Sequence, residues 1–130
     1  MVYPALEAAE KLASENINAT VVNARFVKPL DAESILSLAS KHQTILTVEE
    51  AYLSGGFGSA VMELLEENGL LENTSVHRMG VADEIVTHGD PKILLSHYGL
   101  NPDGIAAKAK EMLSEKSDKQ SSSHRLKAVK

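Results

Sequence analysis

The sequence predicts an α/β fold with three layers, in which a mostly parallel sheet lies between helices. Helical and strand patterns alternate along the chain, beginning with a helix at residues 4 to 15 and ending with one that stops near residue 114. This alternation implies right-handed crossovers between parallel strands, with helices on both faces of the sheet. A length of 130 residues suits one domain with a core of its own.

The first half of the chain gives local signals for two helices and two strands. Residues 4 to 15 carry apolar side chains on one helical face, with a proline in the first turn. Residues 20 to 26, TVVNARF, are rich in β-branched side chains and predict a strand. Asp31 is placed to cap a second helix. The apolar run TILTV, residues 44 to 48, indicates a strand buried on both faces.

The second half predicts three helices and a weaker strand. An apolar helical pattern starts at Phe57 and stops at Gly69, which is a typical residue just after a helix end. Residues 75 to 79, SVHRM, predict the third strand, and a loop follows. The pairs Asp90-Pro91 and Asn101-Pro102 each open a helix, the first ending near Gly99 and the second near Ser114.

Residues 115 to 130 are predicted to be a basic, Ser-rich, disordered tail after a domain formed by residues 1 to 114. Residues 116 to 130 hold five of the thirteen Lys and Arg residues but one of the eighteen acidic residues, a net charge of +4 that leaves −9 for the rest. An acidic body repels polyanions, and the tail has no aromatic side chain for base stacking. We expect neither nucleic acid nor membrane as a partner, and the absence of Cys is compatible with the cytoplasm.

An acidic pair followed by glycines is the main candidate site. Glu49 and Glu50 precede Gly55, Gly56 and Gly58 in the segment TVEEAYLSGGFGS. A dinucleotide fingerprint would need Gly or Ala where the chain has Val61, and a Walker loop would need a lysine that is absent here. We expect one carboxylate to cap the following amides and the other to be solvated, although one of them could face a pocket or a neighbouring domain.

Two further groups of residues are weaker candidates. The five histidines lack the close spacings of a shared metal site, and His88, in the loop THGD, is the most site-like of them. With Glu50 it is a candidate for a pocket or an interface. Arg25, Lys28 and Asp31, around Pro29 in the segment RFVKPLD, could form an ion-pair cluster at a strand end. A structural explanation is favoured for both groups.

Four segments together resemble the C-terminal domain of the 1-deoxy-D-xylulose-5-phosphate synthase family. They are VVNARFVKPLD, TVEEAYLSGGFGSAVMELLEENGLL, VHRMGVADEIVTHGDPKILLSHYGL and DGIAAKAKEML, and the resemblance runs from about residue 3 to residue 114. More distantly the chain is similar to the third domain of transketolases and of the β chains of 2-oxo acid dehydrogenases.

The resemblance implies a thiamine diphosphate and Mg²⁺ enzyme that joins pyruvate to glyceraldehyde 3-phosphate and releases CO₂ in isoprenoid precursor synthesis. The cofactor and substrate residues of that family lie in its upstream domains, so we expect no catalytic, cofactor or metal residue in this chain. The expected partners are the upstream catalytic domains and a second subunit of a homodimer. The expected location is the cytoplasm, or the plastid stroma for a plant parent.

The resemblance also implies a strand that the chain lacks. In the family it precedes the first helix and lies between the strands at 20 to 26 and 44 to 48, so about three strands of the sheet are expected here. The chain is then expected to pair those two strands directly, to self-associate, or to be partly folded. The alternative functions are a free-standing interaction module, a small-ligand-binding α/β domain, or the third domain of another transketolase-like enzyme.

Overall fold

The computed structural model describes the backbone of residues 1 to 127 and the side chains of residues 1 to 115. Five helices and two strands are formed in these residues. In chain order they are α1 (Val2–Ser14), α2 (Ala32–Ala39), β1 (Thr44–Tyr52), α3 (Phe57–Glu67), β2 (Ser75–Val81), α4 (Pro91–His97) and α5 (Pro102–Lys127).

The helix ends confirm the capping residues predicted from the sequence. The Asp31 carboxylate accepts a hydrogen bond from the Ser34 amide at 3.1 Å, and the Asp90 carboxylate accepts one from the Lys92 amide at 2.8 Å. Gly69 follows α3 with a φ of +67°, a conformation that glycine adopts without steric penalty. These local signals were therefore sufficient to place the starts of α2 and α4 and the end of α3.

The sheet consists of β1 and β2, which pair in parallel with Thr44 opposite Ser75 and Val48 opposite Met79. One face of β1 packs through Leu46 and Val48 against the core of α1 and α5. The other face packs through Ile45 against α2 and α3. The two strands are thus covered by helices on both sides, which confirms the α/β class and explains why TILTV is apolar throughout.

The predicted strand at residues 20 to 26 is wrong. These residues have no regular secondary structure, so the described part of the chain has a two-stranded sheet and not the three strands expected. A strand exists only when a neighbour accepts and donates its backbone hydrogen bonds, and β1 and residues 20 to 26 are separated by an open space. The expected direct pairing of these two segments is therefore not formed.

The last helix is longer than predicted. The sequence indicates an end near Ser114 and a disordered tail over 115 to 130, whereas the backbone of α5 continues to Lys127, and residues 128 to 130 lie outside the described part. No Gly or Pro occurs after residue 104, so no residue interrupts the helix once it has formed. In the described residues, no helix combines the length and apolar character that crossing a lipid bilayer requires.

Candidate functional site

The acidic pair lies at the carboxyl end of β1, where successive side chains point to opposite faces of the strand. Glu49 is 8% exposed and Glu50 is exposed. Ile45 and Glu49 are four residues apart, so they lie on the same face of β1, and this face meets α2 and α3. The two neighbouring carboxylates cannot act on one bound molecule as an acid and base pair, because the strand separates them.

The Glu49 carboxylate caps the N-terminus of α3. Its Oε2 atom accepts a hydrogen bond from the Phe57 amide at 2.6 Å, and its Oε1 atom accepts one from the Gly58 amide at 2.9 Å. A carboxylate is favoured there because the first amides of a helix lack internal partners and carry partial positive charge. The prediction that one carboxylate caps these amides while the other is solvated is confirmed, with Glu49 as the cap.

The glycines of the loop allow this close approach. A Cβ atom on Gly56 would overlap Glu49 Oε2 and the Tyr52 carbonyl oxygen. A Cβ atom on Gly58 would lie 2.5 Å from Thr47 Oγ1 and 2.8 Å from Arg78 Cδ. Gly56 and Gly58 are thus required by packing between β1, β2 and the start of α3, and not by contact with a ligand.

Arg78 secures the same loop from the neighbouring strand. Its Nη1 atom donates to the Leu53 carbonyl at 2.9 Å and to Ser59 Oγ at 2.8 Å, and the Ser59 hydroxyl donates to the same carbonyl at 2.8 Å. The sequence analysis missed Arg78, although a cation inside the weak strand pattern SVHRM was a usable signal. The arrangement joins β2, the loop and α3 in one hydrogen-bonded unit.

The ion-pair cluster that Arg25, Lys28 and Asp31 could form around Pro29 is not formed among the described side chains. None of the salt bridges between described side chains includes Arg25, Lys28 or Asp31. Arg25 and Lys28 are exposed, Pro29 lies in the loop before α2, and the Arg25 guanidinium lies 5.8 Å from the centre of the Phe26 ring. Hydrogen bonds from Ser34 lower the pKa of Asp31, which serves as a helix cap.

Glu50 and His88 remain a predicted pocket or interface, and both side chains are exposed. The hydrogen bonds recorded for the described side chains do not join them. In the same part of the chain, the Tyr98 hydroxyl donates to Glu84 at 2.7 Å, and this bond raises the pKa of Tyr98. Within the described residues, no three His, Asp or Glu side chains come together as metal ligands.

The sequence matches a protein-family model described as the transketolase C-terminal domain, over residues 1 to 105. The chain belongs to this family. A solved structure described as a split gene transketolase, an inactive beta4 tetramer, matches it with a TM-score of 0.78 and 34% sequence identity over 87% of this chain and 36% of that one.

Curated relatives place the match more narrowly. The chain is 51% identical to 1-deoxy-D-xylulose-5-phosphate synthase of Symbiobacterium thermophilum over 82% of its own length, and 51% identical to synthase 2 of Geobacter sulfurreducens over 86%. A synthase of Methylibium petroleiphilum is 52% identical over 81%. The chain spans only 16 to 18% of the length of these three proteins.

The residues at the glycine loop do not fit the diphosphate of a thiamine cofactor. Such a group would need the free amides of a helix N-terminus, and the Glu49 carboxylate already accepts hydrogen bonds from the Phe57 and Gly58 amides. An incoming diphosphate would meet that carboxylate at van der Waals contact, and the two negative charges would repel. The loop is therefore a self-capped turn and not an anion-binding site.

Proposed function

We propose that this chain is the C-terminal domain of a 1-deoxy-D-xylulose-5-phosphate synthase, in which it has a structural and assembly role. About 50% identity to such synthases over more than four fifths of the chain carries this proposal. The reaction is the joining of pyruvate to glyceraldehyde 3-phosphate with release of CO₂. The chain on its own is inactive on this proposal, and thiamine diphosphate and Mg²⁺ belong to the remainder of the enzyme.

The internal bonding of the site supports a structural role. Two charged side chains that converge at the end of β1 are used within the chain: Glu49 bonds two amides, and Arg78 bonds a carbonyl and a hydroxyl. Hydrogen bonds of this kind hold the two side chains in place and rigidify the fold, which favours a structural role. The similar split-gene transketolase is described as an inactive tetramer, and such a protein assembles without catalysis, as we propose for this domain.

Exposed apolar side chains on the surface of the domain support an assembly role. Ile85, in the loop after β2, is 96% exposed, and Ile93, on α4, is 70% exposed. Side chains of this size gain about 1.5 to 3 kcal/mol when they are buried, which favours contact with a neighbouring domain or subunit. On this proposal the neighbours are the upstream catalytic domains and the second subunit of a homodimer, in the cytoplasm or a plastid stroma.

A domain exchange tests the proposal. The aligned stretch of 112 residues in synthase 2 of Geobacter sulfurreducens is replaced by the matching stretch of this chain, and a deletion of the stretch serves as control. We expect the chimera to form 1-deoxy-D-xylulose 5-phosphate at a rate within about tenfold of the parent, a barrier difference of roughly 1.4 kcal/mol. The deletion is expected to be inactive.

Two results would contradict the proposal. One is a chimera that has the circular dichroism spectrum and oligomeric state of the parent but no synthase activity. The other is product formation by the isolated chain when it is mixed with pyruvate, glyceraldehyde 3-phosphate, thiamine diphosphate and Mg²⁺.

A further inference from the structure

The turn that ends α3 contains an asparagine directly before a glycine. Asn68 is the C-cap of the helix, and Gly69 follows it with a φ of +67°. Both residues are exposed. Among the asparagines of the chain, Asn68 alone precedes glycine, whereas the others precede Ile, Ala, Thr or Pro. The side chain of Asn68 therefore has a less hindered neighbour than any other asparagine in the sequence.

An asparagine side chain can be attacked by the backbone nitrogen of the next residue. In this turn the Gly69 nitrogen bonds to Asn68 Cγ, the Cγ–Nδ2 bond breaks, and ammonia leaves with the proton of the Gly69 amide. Water then opens the resulting succinimide ring at either carbonyl carbon, which gives isoaspartate or aspartate and returns a proton to the Gly69 nitrogen. Glycine favours the attack because it has no Cβ atom to crowd this nitrogen.

Asn73, in the loop after α3, is a natural comparison. It is also exposed, but the next residue is Thr74, which is β-branched and 4% exposed. The Thr74 amide donates to the Leu70 carbonyl at 3.0 Å. A branched, buried side chain hinders the approach of the Thr74 nitrogen to the Asn73 side chain. Asn73 is therefore expected to react more slowly than Asn68, although both are exposed.

The folded turn holds the reacting groups of Asn68 and Gly69 apart. The Gly69 amide donates to the Glu66 carbonyl at 2.9 Å, and Asn68 Nδ2 donates to the Leu64 carbonyl at 2.8 Å. The ring also needs Cβ, Cα and the carbonyl carbon of Asn68 in one plane with the Gly69 nitrogen, and a ψ of 8° does not place them so. The attack therefore requires local opening of the last turn of α3, and such opening is easiest at element ends.

The same turn ends α3 in a Schellman motif, which isoaspartate would break. The Leu70 amide donates to the Leu65 carbonyl at 2.9 Å, and the Gly69 amide donates to the Glu66 carbonyl. Leu65 is fully buried, and Leu70 packs against the same core cluster. In isoaspartate the backbone runs through the side-chain carbons, so a methylene is inserted before Gly69. Both amides are then displaced from their acceptors.

The new carboxylate is also unfavourable at this end of the helix. An ionised carboxylate has no donor for the Leu64 carbonyl, to which Asn68 donates now. The last turn of α3 has no basic residue, and Glu66 and Glu67 already lie there. A further negative charge beside the free carbonyl groups of a helix C-terminus opposes the helix dipole. Conversion of Asn68 therefore weakens the helix end through charge as well as through geometry.

We propose that Asn68 is a modification site, at which asparagine converts to isoaspartate and aspartate without an enzyme. Opening of the last turn of α3 controls the rate, and the isoaspartate product keeps the turn open because it cannot restore the hydrogen bonds. The conversion is a chemical ageing step that weakens the packing of α3 against α2 and β1. It concerns the fold of this chain and does not depend on the proposed function.

The direct test is peptide mapping by mass spectrometry of the 130-residue chain after storage in warm, mildly alkaline buffer. Exchange of the side-chain NH₂ group for OH raises the mass of the peptide, and chromatography against synthetic standards separates isoaspartate from aspartate. We expect Asn68 to convert at least tenfold faster than Asn73, with isoaspartate as the main product.

Asn68→Gln is the matched control for the chemistry. The glutamine side chain keeps the amide and its donor, but its extra methylene would enlarge the ring that the Gly69 nitrogen has to close. We expect no conversion at this position during the time in which Asn68 reacts.

Two comparisons test control by opening of the turn. Asn68 is expected to convert at least fivefold faster in the urea-unfolded chain than in the folded chain. In the folded chain, Leu70→Ala removes a side chain that packs against the core and is expected to speed conversion at least threefold, whereas Glu72→Ala, at an exposed position of the same loop, leaves the rate unchanged. The comparison in urea keeps the test valid if Leu70→Ala does not fold.

The converted chain reports the structural consequence. Anion exchange separates it from the original chain, because it carries one more negative charge. We expect a lower melting temperature and at least tenfold faster hydrogen exchange at the amides of Gly69 and Leu70.

The proposal is overturned if Asn68 converts no faster than Asn73, or if the folded and unfolded chains convert at the same rate. It is also overturned if the converted chain keeps the melting temperature and the amide protection of the original. None of these results affects the outcome of the domain exchange, so the two proposals are tested separately.

Discussion

Replacement of Glu49 by Gln is the perturbation that tests the cap of α3 most sharply. The variant keeps the size of the side chain and one acceptor oxygen, but it turns an NH₂ group toward one of the two amides now bonded at 2.6 and 2.9 Å. Leaving one buried donor unsatisfied costs about 1 to 3 kcal/mol. We therefore expect Glu49→Gln to lower the free energy of unfolding by about 2 kcal/mol, and Glu49→Ala, which removes both acceptors, by about 4 kcal/mol.

Urea denaturation followed by circular dichroism measures this loss. With a slope of about 2 kcal/mol per molar urea, typical of small domains, the midpoint falls by about 1 M for Glu49→Gln. Glu50→Gln is the matched control, since its side chain is exposed and the change is expected to stay within about 0.5 kcal/mol.

Hydrogen exchange reports the same cap at single residues. The amides of Phe57 and Gly58 are expected to lose protection in Glu49→Ala and to keep it in the variant of Glu50. Equal urea midpoints for Glu49→Gln and Glu50→Gln would refute the reasoning, because they would show that the cap contributes nothing to stability.

Two further substitutions test the packing and the electrostatics of the same layer. Gly58→Ala places a Cβ atom 2.5 Å from Thr47 Oγ1 and is expected to lower the free energy of unfolding by about 1 to 3 kcal/mol. Gly89→Ala is the control, because its Cβ atom would have its nearest contact at 3.5 Å and should leave stability unchanged. Similar melting temperatures for the two variants would contradict the packing argument. The lowered pKa of Asp31 means that its charge stabilises the fold above the unfolded pKa of about 3.9 and that this contribution is lost as the pH falls through the folded value. The difference in melting temperature between the wild type and Asp31→Ala should therefore shrink below about pH 4, and a difference that does not depend on pH would count against the charged cap.

The helices could be predicted from the sequence because their signals are local. An Asp before Pro91, a Gly after the last apolar residue of α3 and an apolar stripe act within one or two turns, whatever the rest of the chain does. The strand at 44 to 48 was predicted for a related reason, since an apolar run of that length needs cover on both faces.

The prediction of a strand at residues 20 to 26 was wrong because a strand forms only when a neighbouring strand supplies its hydrogen-bond partners. The composition TVVNARF favours extended backbone, and the segment has no helix, but no adjacent strand lies within reach of its amides. The predicted end of the last helix near Ser114 was wrong because no residue interrupts the helix there, and its backbone continues to Lys127.

The candidate site was predictable in kind but not in detail. Alternation along a strand implies that one of two adjacent carboxylates points inward, but the sequence does not state which face of β1 meets α3. The role of Arg78 depends on the pairing of β2 with β1, which brings the guanidinium to Leu53 and Ser59 across a long stretch of chain. Such contacts follow from topology and are not visible in local patterns.

The central claim, that the glycine loop is a self-capped turn, is tested most directly by titrating the ¹⁵N-labelled chain with inorganic diphosphate and Mg²⁺. The account predicts no saturable change at the amides of Phe57 and Gly58, because the Glu49 carboxylate already accepts their hydrogen bonds. Saturable shifts at these two amides in the wild-type chain would contradict it.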